Sequence, residues 1–141
     1  MAVTDINLST DMYSEIRSIL VSANPIVTNS SSSATTAASI YAEYNDKTMT
    51  RPQIVLHSVS PELKAWKFGD TTPSKFVTVI IDCYYTNSLG IDQLYDQVVY
   101  ALENNRVDNL ELVGITSDIA FNVASNNKYQ MKSVILTYDR E

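Results

Sequence analysis

A chain of 141 residues, 45% hydrophobic and 18% charged, fits one domain with a proper core and no need of disulfide or metal staples. A single cysteine (Cys83) and a single histidine (His57) exclude an internal disulfide, paired-cysteine zinc sites and mechanisms built on two histidines. Three glycines, none in a phosphate-cradling frame, and a net charge of −6 argue against nucleotide chemistry and general nucleic-acid binding.

The polar opening, Met1 to Asp11, has neither a basic nor an apolar leader region, and no stretch approaches the ~20 apolar residues of a membrane span. The expectation is folding in a cytoplasm, with the sequons at Asn7 and Asn29 unused. From Ser9 to Ser22, Met12, Ile16, Ile19 and Leu20 form one apolar stripe, which predicts a helix capped by Ser9 or Thr10 and stopped by Pro25. Thr28 to Ser39 is a Ser/Thr/Ala tract without periodicity and reads as a mobile loop. Short strands follow at Ser39–Tyr44 and Gln53–Val59, rich in Ile, Tyr and Val and joined by a turn-like Asn45-Asp46-Lys47. Ser60 to Ser74, with Pro61, Pro73 and Gly69-Asp70, reads as a long loop or a projecting hairpin.

Lys75 to Tyr85 is the clearest strand, with Val77, Val79, Ile81, Cys83 and Tyr85 on one face. Ile91 to Asn104 is the clearest helix, its stripe being Ile91, Leu94, Tyr95, Val98, Ala101 and Leu102, with Asn104-Asn105 as a C-cap. Leu110–Asp118 and Lys128–Tyr138 complete the strands, with a turn at Asn122–Asn127. These elements predict one α+β domain over residues 1–141. Its sheet, mixed or antiparallel with about four to five strands, carries both helices on one face.

Catalytic candidates are few. His57 lies inside a strand with no visible nucleophile partner, and Cys83 falls on an apolar face where a thiol is inert. No motif joins Asp82 or Asp118 to another residue. Asp92 and Asp96 share a helix face, but no third ligand follows at metal-binding spacing. The reading is therefore no catalytic, cofactor or metal site.

Charge is polarised instead. Lys47 to Lys75 holds five bases and two acids, whereas Asp82 to Asp118 holds seven acids and one base, Arg106. Trp66 and Phe68, flanked by Lys64 and Lys67 in a proline-bounded loop, have the character of an interface anchor. The candidate assembly surface is thus Lys64, Trp66, Lys67 and Phe68, with Asp92 and Asp96 as an acidic counterpart.

The order of elements carries a resemblance. Phe76-Val77-Thr78-Val79-Ile80-Ile81-Asp82-Cys83-Tyr84 ends a strand, and Thr86-Asn87-Ser88 links it to the amphipathic helix Ile91–Leu102. Two strands follow, the last being Tyr129–Tyr138. This pattern resembles the tail terminator and tail completion proteins of tailed phages and related viruses, small α+β proteins without catalytic residues. The resemblance implies a virion structural protein assembled in the host cytoplasm. Copies would close into a ring, usually a hexamer, that caps the tail tube, stops its polymerisation and joins a neck or connector protein. DNA would pass through the acidic lumen without specific binding, and the long Ser/Thr tract departs from the family. The alternatives are another head-tail connector or neck protein, or a small cytoplasmic α+β ligand-binding domain.

Overall fold

The first helix, α1 (Leu8–Ala23), buries Leu8, Met12, Ile16 and Leu20, a ladder at four-residue spacing that places about one residue per turn against the same surface. Asn7 occupies the N-cap and makes no side-chain cap bond, so the capping expected of Ser9 or Thr10 is replaced by a start one turn-fraction earlier. Asn24 ends the helix in the left-handed conformation, φ 49°, its N–H donating to the Leu20 carbonyl at 3.1 Å. Asparagine tolerates that conformation, and Pro25 prevents continuation. The computed structural model describes residues 7–28, 35–41, 52–63, 75–86, 88–107, 110–121 and 130–140.

Two short strands, β1 (Ile26–Thr28) and β2 (Thr35–Ala37), pair antiparallel, which corrects the reading of Thr28–Ser39 as a mobile loop for Thr28 and Thr35–Ala37. The cause is outside the tract. Gln97 accepts from the Ile26 N–H at 2.9 Å and donates to the Ile26 carbonyl at 2.6 Å, and Gln93 accepts from the Thr28 N–H at 2.8 Å. Two glutamines one helical turn apart thus pair with the free edge of β1 as a neighbouring strand would. Val27 between them is buried. Composition cannot register such a partner, because it lies some seventy residues away.

The main sheet has five strands: β3 (Ser39–Tyr41), β4 (Gln53–Leu63), β5 (Lys75–Tyr85), β6 (Leu110–Phe121) and β7 (Gln130–Arg140). Their order is β3-β4-β5-β7-β6, with β3 parallel to β4 and every other pair antiparallel. Strand β5 has the predicted bounds. Strand β4 outruns its predicted end at Val59 and pairs with β5 as far as Leu63↔Lys75. Ser60–Leu63 therefore belong to a hairpin rather than a loop. Among the described residues β3 pairs only with Gln53–Val55 of β4, which puts Pro61 on a stretch of edge strand, where proline is tolerated.

Helix α2 (Ser88–Asn104) packs beside α1, and both cover the same face of the sheet. Val77, Val79, Ile81 and Cys83 of β5 meet Ile91, Leu94, Val98 and Leu102 of α2 in one core with Val134, Leu136 and Tyr138 of β7. Val79 and Ile81 of the predicted strand face and Leu94, Val98 and Leu102 of the predicted helix stripe are all at 2% exposure or less. The Asn104 and Asn105 side chains donate to the carbonyls of Tyr100 and Ala101 at 2.8 and 2.7 Å, satisfying the orphan acceptors of the last turn. No helix among the described residues is long and apolar enough to cross a membrane.

Candidate assembly surface

Because the stripe of α2 turns inward, Asp92, Asp96, Tyr100 and Glu103 are exposed on its outer side. The two aspartates predicted to act together have different surroundings. Asp92 Oδ1 accepts from Lys132 Nζ at 3.0 Å, and that ammonium lies 4.1 Å from the centroid of the Tyr95 ring. Lys132 sits on the helix-facing side of β7, in register with Cys83, so this pair fastens α2 to the sheet. With Asp92 more than half exposed, the contact contributes at most about 1 kcal/mol. Asp96 instead lines an open groove of about 690 Å³ between the helices, with Ile19, Ser22, Gln97 and Tyr100 around it. Three large apolar side chains of the two helices are strongly exposed, Tyr100 at 68%, Leu89 at 57% and Val21 at 51%, and of these Tyr100 lines the groove. Lys64, Trp66, Lys67 and Phe68 lie outside the described residues. β4 ends and β5 begins at the end of the sheet where Leu63, Lys75, Arg140 and Leu110 align.

The opposite face of the sheet holds a polar cluster that the sequence reading did not assemble. Asp82 is 3% exposed, yet it accepts from Ser133 Oγ at 2.6 Å and pairs with His57 Nδ1 at 2.9 Å, while Tyr84 Oη stands 3.5 Å away. No sequence motif joins these residues; strand pairing does. Register explains the meeting: Val55, Asp82, Ser133 and Asp118 form one cross-strand row. A bulge at His57, between the pairs Leu56↔Ile81 and Ser58↔Ile80, reverses the parity of β4. Residues 54 and 56 face the helices before it and residue 59 after it, which turns His57 and Ser58 both to the far side. The one sequence signal was a charged residue inside the most apolar strand.

The order of the groups in this cluster differs from that of a catalytic relay. In a serine–histidine–aspartate relay the imidazole stands between hydroxyl and carboxylate. Here the carboxylate stands between the other two, so the Ser133 hydroxyl donates to Asp82 and not to the imidazole. Cys83 is quiet. Burial, reinforced by the neighbouring Asp82 charge, pushes its thiol up to about 12, far from the thiolate a nucleophile needs. Among the described residues no three His, Cys, Asp or Glu side chains gather to hold a metal ion.

No family model and no curated protein sequence matches the chain.

Proposed function

We propose that this chain is a virion structural subunit of the tail terminator kind, copies of which close into a ring on the end of the tail tube and present a surface to the neck. The observation that carries the reading is the two-sidedness of the fold. One side is a helix layer with a partly apolar groove lined by Asp96, Tyr100 and Ile19; the other is a sheet face not covered by either helix. A ring needs two unlike complementary patches on every subunit, and the polarised charge of the sequence adds a basic stretch to set against an acidic one. The strand, helix, strand, strand order on which the resemblance rests is also the order of β5, α2, β6 and β7.

The experiment is a tube-elongation assay. Tail tube protein polymerises with and without the chain, and tube lengths are read by electron microscopy. The proposal requires that substoichiometric chain stops growth and decorates one end of each tube. Unchanged lengths and bare ends would sink it.

A further inference from the structure

Tyr138 is at odds with its surroundings. It rises from β7 on the helix side of the sheet, in register with Val77 and Leu112, and is 1% exposed. Among the described residues its hydroxyl finds no hydrogen-bond partner, and native proteins rarely leave a buried polar group bare without a use for it. Strand side chains stand roughly perpendicular to their sheet, so this hydroxyl, at the tip of the ring, reaches the level of the last turn of α2. There Tyr138 forms part of the wall of a pocket of about 540 Å³ between the end of α2 and the start of β6.

The lining has two halves. Leu102, Val107, Leu110 and Leu112 supply apolar wall, and Glu103, Asn104, Asn105, Arg106 and Glu111 supply polar wall. Acceptors outnumber donors in the polar half. Asn104 and Asn105 each spend a side-chain N–H on the helix, donating to the Tyr100 and Ala101 carbonyls, which directs their Oδ1 atoms away from those carbonyls. Glu103 and Glu111 set two carboxylates against the single guanidinium of Arg106, and the C-terminal end of α2 adds partial negative charge. A phenol oxygen accepts as readily as it donates. We infer that this pocket binds an alkylammonium group, carried by a free aliphatic amine or by a lysine side chain. Such a group is a compact cation with three N–H donors on an apolar stem. The stem lies along the leucines, and the ammonium donates to Tyr138 Oη and to the carboxylate and amide oxygens. An anion would meet two carboxylates and the negative helix end, and a neutral alcohol would leave the carboxylates without a counter-charge. The site also accounts for a hydroxyl whose burial costs the empty protein stability. It does not depend on ring formation.

The test is a titration of the isotope-labelled full chain with n-butylammonium at neutral pH and low salt, followed by amide NMR. n-Butanol and butyrate serve as neutral and anionic controls. Saturable shifts centred on residues 102–107, 110–112 and 138 are expected at millimolar concentrations, and both controls should bind at least tenfold more weakly. Tyr138→Phe should keep the fold and lose at least tenfold in affinity, the worth of one hydrogen bond to a charged group. Glu103→Gln combined with Glu111→Gln, both at exposed positions, should show a similar loss without touching the core. Nα-acetyl-lysine methylamide binding as tightly as butylammonium would support a protein side chain as the occupant, whereas binding at least tenfold weaker would support a free amine. The site would be overturned by the absence of a saturable shift with butylammonium, or by butanol binding equally well. It would also be overturned by a folded Tyr138→Phe, or a double glutamine variant, that binds like the parent.

Discussion

Replacing Tyr138 with phenylalanine should make the protein more stable. The Tyr138 side chain lies in the core at 1% exposure, and its hydroxyl is the buried side-chain polar atom without a hydrogen-bond partner among the described residues. Leaving such a group dry and unbonded costs about 1–3 kcal/mol, whereas phenylalanine keeps the ring and its contacts. Allowing for the small void left by the oxygen, the variant should gain about 1 kcal/mol at pH 7. Alkali widens the gap. Burial pushes the phenol from 10.0 up to about 12, so above pH 10 the unfolded chain releases a proton that the folded chain retains. Stability that is whole below pH 10 then drains away until about pH 12, by about 1.4 kcal/mol at pH 11. Phenylalanine has no proton to lose, so the advantage of the variant at pH 11 should exceed that at pH 7 by this amount. Urea titrations of both proteins at the two pH values measure it. A variant less stable than the parent by more than about 0.5 kcal/mol at pH 7 would show that the hydroxyl is bonded and refute the reasoning.

Leu102→Ala removes a side chain 2% exposed at the seam of α2 and the sheet and should cost about 2–5 kcal/mol in denaturant titrations. Gln97→Ala should free the Ile26 amide, bonded at 2.9 Å, to exchange with solvent at least tenfold faster. Global stability should fall by only about 1–2 kcal/mol. Asp82→Asn leaves either Ser133 or His57 without its acceptor and should destabilise by about 1–3 kcal/mol, whereas Lys132→Ala, breaking the exposed Asp92 pair, should cost about 1 kcal/mol or less. Cys83 is 0% exposed with its thiol pushed up to about 12, so at pH 8 a thiol reagent should modify it only at the rate of unfolding.

Periodicity made the framework legible. The stripes of Met12–Leu20 and Ile91–Leu102 and the alternation of Val77–Cys83 each encode both an element and its buried face, and all three meet in one core. Sequence fails where the deciding partner is distant or where a strand breaks its own rhythm. The β1–β2 pair exists because Gln93 and Gln97 bond its backbone, and a polar tract carries no trace of that. Pro61 within β4 stands on edge strand, since among the described residues β3 pairs no further than Val55. Likewise, the Asp82 cluster needs the bulge at His57 and the register with Ser133, both products of strand pairing. Of the candidate surface, the spacing of Asp92 and Asp96 put them on one helix face. Only the packing of α2 against β7 shows that Lys132 ties Asp92 to the sheet and that Asp96 opens onto the groove.

Native mass spectrometry across a concentration series, alone and with tail tubes, tests the central claim most directly. Closed rings appear as one discrete multiple of the 15.7 kDa subunit, unchanged in stoichiometry as concentration rises. A chain that remains a monomer under every condition, or that forms a continuous ladder of sizes, would contradict the account.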